Sequence, residues 1–388
     1  MEFALSEEQS LIRETARRMV ERGIQPLLDA NDPNAPLPKR DLLKIYETIA
    51  PQGLTAPRLS AEDGGGGLSM VNYGLMYEQM PPWVAISIMG HECTVSRIHA
   101  ESTPAQRERF LPDLLSGKKI CGTATSEPGA GSDPRGLSTR MRIEGDEVVI
   151  SGRKMWISNG SVADVIAVTC VDATGESVDD KGRTTLKRVI VEPAVTPVDI
   201  REIETAGLKQ GHLAEAVFED CRVPRENLLE SGGDAARMLT VTWNGNRPLI
   251  GLAAVHLAQK ALDLARDYAG VREQFGKPIA GHQLVQKNLA DIETAVVTSR
   301  LLCYHALETL DRGERSNGVS AMAKRYATTA CEKAINLAMH IHGGMGIAVE
   351  TGLERLLRDC RMLPVPDATN EILTLIQGRE LTGIAAFR

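Results

Sequence analysis

The chain has 388 residues and a formal net charge of −7, and 43% of its residues are hydrophobic. This length predicts two or three domains with a large core. The acidic charge argues against nucleic acid or an anionic membrane surface as the main partner, and 4% aromatic residues argue against a base-stacking surface. Seven scattered cysteines without a CxxC pair indicate reduced thiols, and no apolar run reaches transmembrane length, so we expect a cytoplasmic protein.

The pattern along the chain changes from helical to β and back to helical. The first segment opens with "SEEQSLIRETARRMVERGI", which spaces apolar residues at three and four behind a capping Ser6. Short β-rich runs such as "DEVVISGRKMWIS" and "LKRVIVEP" follow, and long amphipathic runs then continue to the end. We therefore predict an α+β multidomain fold, with an N-terminal helical domain (1–120), a middle β-barrel or β-sandwich domain (121–232) and a C-terminal four-helix bundle (233–388).

Individual motifs carry little information on their own. The loop "TATSEPGAGSD" combines small residues with hydroxyls that could reach the edge of a flat ligand, but its spacing alone favours a Ser/Thr-rich turn. "KMWISNG" places Trp156 in a strand, where a core tryptophan is the ordinary interpretation. "HIHGGMG" has two histidines without clustered carboxylates or cysteines, which indicates a glycine-capped helix end and no metal site.

Taken together, seven segments resemble the acyl-CoA dehydrogenase family over nearly the whole chain, in the order and spacing of that family. They are "ATSEPGAGSD", "GRKMWISNG", "AVFEDCRVPRENLL", "RPLIGLAAVHLAQKAL", "REQFGKPIAGHQLVQ", "HGGMG" and "DATNEI". The resemblance implies an FAD-dependent enzyme that acts on acyl-CoA and passes electrons to an electron-transfer flavoprotein. It also implies a homotetramer built as a dimer of dimers.

The resemblance extends to individual site residues. Residues expected to line the flavin, with Ser132 also reaching the acyl-CoA, are Thr123, Thr125, Ser126, Ser132, Trp156 and Ser158. Residues expected to hold the FAD of a neighbouring subunit are Arg272, Gln274, Phe275, Gln283, His340, Gly343 and Gly344, where His340 replaces a common glutamine. Thr369 and Glu371 match the start of the last helix, which can hold phosphate. Asn244, Arg247 and Ala368 are expected on the substrate side.

Asp367 takes the position of the catalytic glutamate that most of the family carries in "YEGT". A minority of the family places the base on the "RP" helix, where this chain has Asn246, which cannot accept the proton. We therefore expect Asp367 to remove the α-proton of the thioester while hydride leaves the β-carbon for flavin N5. Aspartate is one methylene shorter, and Pro364 and Pro366 indicate a rebuilt loop. The alternative is that Asp367 only caps the last helix.

His91 and Glu92 fall on the helix that lines the acyl pocket in this family. They could contact a cyclic or functionalised acyl group or act as a second acid–base, or they could face away from the site. Two other functions stay open. A nitroalkane-oxidase-like enzyme also uses aspartate but keeps an arginine where this chain has Thr374, and a flavin-binding protein without turnover would not need Asp367.

Overall fold

The computed structural model describes residues 4–133, 136–173, 185–229 and 235–386. Its N-terminal part is helical, and the predicted Ser6 cap is confirmed. The Ser6 hydroxyl accepts a hydrogen bond from the Gln9 N–H, and the Gln9 side chain accepts one from the Ser6 N–H. The helices are α1 (Glu7–Met19), α2 (Gln25–Asp29), α3 (Lys39–Ile49), α4 (Met70–Tyr77), α5 (Pro82–Glu101) and α6 (Pro104–Leu115).

The middle of the chain forms a mixed sheet. Its strands are β1 (Cys121–Ala124), β2 (Arg140–Glu144), β3 (Glu147–Ser158), β4 (Val165–Asp172), β5 (Leu186–Val191), β6 (Asp199–Glu202), β7 (Leu213–Pro224) and β8 (Leu228–Leu229). They follow the order β6-β7-β3-β2-β4-β5-β8, and β1 pairs in parallel with β4. The register of β3 against β7 shifts between Lys154 and Ile157, which marks a β-bulge. A bulge re-aims side chains, and this one includes Trp156.

The C-terminal part is a helix bundle. It contains α7 (Ala235–Val271), α8 (Gln283–Asp311), α9 (Asn317–His342), α10 (Leu353–Met362) and α11 (Asn370–Thr382), with α9 packed against the other four. The pattern of α7 predicted a helix that runs on to Gly276, and this is wrong. The helix ends at Val271 because β9 (Glu273–Gln274) pairs with β10 (Lys277–Pro278) around Phe275 and Gly276, which both have positive φ.

Helix α5 joins the three parts. One core of buried residues includes Ile45, Val84, Leu252 and Ile335, so it runs from the N-terminal helices into the bundle. On another face, α5 and α6 pack against the sheet. Gly90 brings α5 close to β3, because a Cβ there would lie 3.1 Å from the Cβ of Ser158. Residues of α5 can therefore contact both the sheet and α7.

The seven cysteines are buried and unpaired. Within the described part of the chain, no helix is long and apolar enough to cross a membrane. The domain boundary expected between residues 232 and 233 lies outside the described residues.

Candidate active site

Asp367 lies on a strained loop between α10 and α11. Its φ is +53° and that of Ala368 is +87°, a region that side-chain-bearing residues rarely adopt. Helix α11 begins at Asn370 with Thr369 as its N-cap. Asp367 therefore does not cap the last helix, and the strained backbone instead turns its partly buried side chain toward α7.

The loop is held by Lys324 of α9, a residue that the sequence did not single out. The Lys324 ammonium group donates hydrogen bonds to the carbonyl oxygens of Pro364 at 3.1 Å, Pro366, and Ala368 at 2.6 Å. Burial lowers the pKa of Lys324 to about 7, and attraction to Asp367 opposes this shift. Three carbonyls on one buried cation fix the backbone on both sides of Asp367.

Helix α7 holds Asp367 itself. The Asn246 amide donates to Oδ2 of Asp367 at 2.8 Å, and Nε of Arg247 donates to the Asp367 carbonyl oxygen at 3.2 Å. Arg247 in turn donates from Nη1 to Oδ1 of Asn244 at 2.8 Å. Asn246 and Arg247 are both buried, so their side chains have little freedom to move. Asn246 thus occupies the second base position of the family and serves to position the acid.

A buried ion pair supports Asn246 from behind. Oδ1 of Asn246 accepts from Nη2 of Arg58 at 3.3 Å and from the Cys93 thiol at 3.2 Å. Arg58 makes a two-pronged pair with Glu92, at 3.0 Å from Nε and 2.5 Å from Nη2. Gly245 leaves room for this arginine, because a Cβ there would lie 2.6 Å from Nη1 of Arg58. The polar contacts therefore run without a break from Glu92 to Asp367.

His91 points the other way from its neighbour. Its Nδ1 accepts from the Cys121 N–H at 3.2 Å, which leaves Nε2 to donate to the Leu114 carbonyl oxygen at 3.1 Å. Burial lowers the pKa of His91 to about 4, so the ring is neutral near pH 7. The geometry favours the alternative that His91 faces away from the site, while Glu92 belongs to the network behind Asp367.

The loop after β1 brings the predicted hydroxyl residues to the edge of the sheet. The Thr123 hydroxyl lies 2.8 Å from that of Thr94 on α5, and the Thr125 hydroxyl lies 3.2 Å from that of Thr169. The Ser126 carbonyl oxygen accepts from the Met155 N–H at 2.9 Å. These hydroxyls are partly buried and stand beside the β3 bulge. Ser132 lies farther along the loop and is exposed.

A second buried ion pair fixes this loop. Lys154 donates to the Thr125 carbonyl oxygen at 2.9 Å and to Glu127 at 2.8 Å. The Glu127 carboxylate also accepts from the backbone N–H groups of Ser138 at 2.7 Å and Thr139 at 2.8 Å. Burial alone would raise the pKa of Glu127, but hydrogen bonds from Lys154, Ser138 and Thr139 lower it to about 2.

Trp156 lies in β3, as predicted, but it is not a core residue. Its φ is +62° at the bulge, and 54% of its surface is exposed. Ser158, two residues on, is partly buried against α5. An exposed indole on a strained backbone gains little from this chain alone, and a flat ligand laid against it would cover it.

The remaining expected cofactor residues lie at the other end of α7. Arg272, Gln274, Phe275 and Gln283 are exposed around the β9–β10 hairpin, and His340, Gly343 and Gly344 are exposed at the end of α9. Tyr268 stacks on His342 with ring centroids 4.3 Å apart, which brings the two groups to the same end of the bundle. Arg247 and Tyr268 are separated by about 30 Å at the rise of an α-helix. The structure therefore does not bring this set to Asp367.

Thr369 and Glu371 lie next to Asp367, at the start of α11. The Glu371 carboxylate accepts from its own N–H and from the Thr369 hydroxyl, and these bonds lower its pKa. Glu371 is exposed, so the first turn of the helix stays accessible from outside.

Comparison with known proteins gives the same picture at the level of the chain. Acyl-CoA dehydrogenase family models match residues 6–118 (N-terminal domain), 122–221 (middle domain) and 236–382 (C-terminal domain). The chain belongs to the acyl-CoA dehydrogenase family. Cyclohex-1-ene-1-carbonyl-CoA dehydrogenase of Geobacter metallireducens is 34% identical over 387 residues, which cover 97% of this chain and 98% of the relative.

Two further comparisons extend over nearly the whole acyl-CoA dehydrogenase. The mitochondrial short-chain specific acyl-CoA dehydrogenase of Rattus norvegicus is 31% identical over 376 residues, which cover 96% of this chain and 89% of that protein. The structure of butyryl-CoA dehydrogenase from Megasphaera elsdenii superposes with a TM-score of 0.88 at 27% identity, over 98% of this chain and 100% of that one. The expected fold of N-terminal helices, central β-sheet domain and C-terminal helices is confirmed.

This acyl-CoA dehydrogenase is a flavin oxidoreductase, and its cofactor is FAD. The residues present fit that cofactor. The exposed indole of Trp156 beside partly buried hydroxyls suits a flat ring with polar edges. At the far end of the bundle, Gly343 has a φ of +59°, and a Cβ on Gly343 or Gly344 would meet nothing within 4 Å. That open backbone suits a phosphate, which approaches N–H groups closely.

Proposed function

We propose that this enzyme dehydrogenates an acyl-CoA thioester between its α- and β-carbons, with the Asp367 carboxylate as the base that removes the α-proton. The observation that supports this most strongly is the arrangement of Asp367 on a loop clamped by Lys324, with Asn246 bonded to one carboxylate oxygen. FAD, when bound, accepts the hydride that leaves the β-carbon. Electrons then pass to an electron-transfer flavoprotein.

Asp367 has the free atoms that this role requires. Asn246 bonds Oδ2, and among the described residues no group donates to Oδ1, so that oxygen can take the proton. The Asp367 N–H also lacks an acceptor within the described part of the chain. It can donate to the thioester carbonyl, where negative charge develops as the α-proton leaves.

The loop offsets the shorter side chain of aspartate. A misplacement of about 1 Å can cost on the order of 100-fold in rate, so the missing methylene has to be compensated by the backbone. The positive φ values of Asp367 and Ala368 change the path of the chain at this point, and Lys324 holds that path. Strain of this kind persists only where surrounding contacts maintain it.

The cofactor residues divide into two groups that serve different FAD molecules. Thr123, Thr125, Ser126, Trp156 and Ser158 line the flavin beside Asp367. The group around Phe275 and Gly343 lies about 30 Å away along α7 and holds the FAD of a second copy of the chain. This separation supports the expected dimer of dimers.

The acyl group is cyclic or functionalised. The polar network of Arg58, Glu92 and Asn246 lies where a plain alkyl chain would require apolar side chains. A relative that covers the whole chain is named for a cyclic acyl-CoA.

An anaerobic titration tests the proposal. The purified holoenzyme is mixed with short, branched, alicyclic and functionalised acyl-CoAs while loss of the oxidised flavin absorbance is followed. At least one class should bleach wild type, and Asp367→Asn should react more slowly by about 1,000-fold or more, as expected when a general base is lost. Asp113→Asn, an exposed carboxylate on α6, is the matched control and should react like wild type.

Two results would count against this function. If Asp367→Asn reduces its flavin as fast as wild type, Asp367 is not the base. If no thioester bleaches the flavin but a nitroalkane does, with oxygen uptake, the nitroalkane-oxidase-like alternative takes its place. Reduction of added electron-transfer flavoprotein by the substrate-reduced enzyme checks the acceptor separately.

A further inference from the structure

Helix α5 carries three buried charges toward the interior, and two of them are paired. Glu92 is neutralised by Arg58, and Glu101 by Arg188 of β5. The third charge is Arg97, which is only 5% exposed. Within the described part of the chain it has no ion-pair partner and no hydrogen bond, and its Nε is buried without an acceptor.

An unpaired buried guanidinium is costly for a protein to keep. Desolvation of a cation is repaid only by a counter-ion and by hydrogen bonds to its N–H groups. Burial, and then repulsion from Arg188, lower the pKa of Arg97 to about 10, while attraction to Cys93 and Asp367 opposes the shift. The group stays charged near pH 7 and lacks an anion of its own, which points to a ligand that supplies one.

Arg97 lies on the wall that also carries the proposed base network. It follows Cys93 by four residues on α5, so the two side chains lie on the same helix face. The Cys93 thiol is 3.2 Å from Oδ1 of Asn246, whose amide holds Asp367 at 2.8 Å. Arg97 therefore stands one helical turn beyond the groups that position the base, where the far end of an acyl group would extend from the reacting carbons.

We propose that Arg97 binds a carboxylate at the far end of the acyl group, so that the preferred substrates are ω-carboxyacyl-CoA thioesters. This inference rests on the proposed dehydrogenase function and specifies its substrate class. A guanidinium pairs with a carboxylate through two parallel hydrogen bonds, which gives both energy and direction. Arg58 cannot take this role because Glu92 already occupies it. A neutral acyl group would leave Arg97 unpaired, so the site selects against it.

The competing explanation is that Arg97 acts at a distance as a counter-charge for Asp367. The two explanations differ in what they predict for neutral substrates. A counter-charge would assist proton removal from every acyl-CoA, whereas a carboxylate-binding residue matters only when the acyl group ends in a carboxylate.

The test compares ω-carboxyacyl-CoAs of increasing length with straight-chain acyl-CoAs of matched length, on the holoenzyme. Wild type should favour the best ω-carboxy substrate by roughly 10- to 100-fold in kcat/KM, the value of a charge-assisted pair. Arg97→Met should lose that preference and keep its kcat/KM for alkyl substrates within about threefold. Arg97→Lys should recover part of the preference. Arg107→Met is the matched control, since its Nε is likewise buried without a partner but lies on α6.

Equal loss on both substrate classes in Arg97→Met would overturn the proposal in favour of the counter-charge. Wild type without any ω-carboxy preference would also overturn it, while bleaching by alkyl substrates would leave the dehydrogenase function standing. If Arg97→Met does not fold, binding to the Asp367→Asn holoenzyme decides the matter through the flavin spectrum. Tighter binding of the ω-carboxy thioester supports the site, and equal binding excludes it.

Discussion

The two ends of helix α7 present opposite kinds of surface. At the N-terminal end, Asn246 and Arg247 are buried and bonded to the Asp367 loop. At the C-terminal end, Arg272 is exposed and Phe275 is 95% exposed at a positive φ. The first end is organised by this chain alone, whereas the second makes sense only when another molecule covers it.

The difference follows from the cost of burying charge. Inside the protein, every charged group has to be paired or hydrogen-bonded, so the network around Asp367 is closed apart from Arg97. On the surface, water satisfies the polar groups, and the unusual feature is an exposed aromatic side chain. The same reasoning thus identifies a ligand position at one end and a contact surface at the other.

The largest effect is expected from removing the clamp at the closed end. Lys324→Met leaves three buried carbonyls without their donor, which should lower the free energy of unfolding by about 3 kcal/mol. The loosened loop should also lower kcat by about 100-fold with little change in KM, because the base is misplaced. Denaturant unfolding and steady-state kinetics on the best acyl-CoA measure the two effects.

Lys333→Met is the matched control, because Lys333 is exposed on the same helix. It should leave both the stability and kcat close to wild type. A Lys324→Met enzyme with full kcat would show that the loop keeps its shape without the clamp, and the closed end would then be less dependent on α9 than the contacts indicate.

A smaller effect is expected at the open end. Phe275→Ala should weaken FAD retention by about tenfold and lower the mass of the assembly, if this side chain contacts a second copy and its cofactor. The free energy of unfolding of the monomer should stay within about 0.5 kcal/mol, since the ring packs little in the single chain. FAD content after gel filtration and mass by light scattering give the two readouts.

Val195→Ala removes another exposed apolar side chain, from the middle part of the chain, and serves as the control. It should change neither FAD content nor mass. If Phe275→Ala also changes neither, the hairpin is not part of the cofactor site, and the contrast between the two ends of α7 loses its functional meaning.

Local patterns in the sequence predicted much of this molecule and missed a specific part of it. Helices with a 3.6-residue period, the strands β3, β4, β5 and β7, and the Ser6 cap depend on neighbours in the chain, so they could be predicted. The strands β1, β2 and β6 have only four or five residues, too few for a pattern to stand out. Phe275 and Gly276 form a turn inside a run that has a helical pattern.

The site divides in the same way. The position of Asp367 follows from the resemblance of its segment, but its partners do not, because Asn246 and Lys324 are distant in sequence. Arg58 reaches Asn246 across 188 positions, and no local pattern encodes that contact. His91 and Glu92 are adjacent in sequence, yet they point in different directions, because successive residues on a helix are about 100° apart.

The smallest effect on turnover is expected at the Lys154–Glu127 pair, which supports the flavin-side loop at the closed end. The carboxyl of Glu127 has a pKa of about 2 in the folded protein against 4.5 as the ordinary value, so the unfolded chain binds the proton more tightly between these pH values. The stability that Glu127 contributes is therefore complete above pH 4.5 and is lost as the pH falls toward 2.

Glu127→Gln should remove part of that pH dependence. Between pH 5 and 3, the Tm of the variant should fall less steeply than that of wild type, while kcat near pH 7 drops by about threefold or less, because Asp367 and its clamp are unchanged. Thermal unfolding of the holoenzyme over a pH series measures the slope, with Glu219→Gln, an exposed carboxylate on β7, as the control. Identical slopes for wild type and Glu127→Gln would mean that acid unfolding begins elsewhere. The closed end would then owe its acid stability to the contacts of Asp367 and Lys324, and the flavin-side loop would be the less constrained of its two walls.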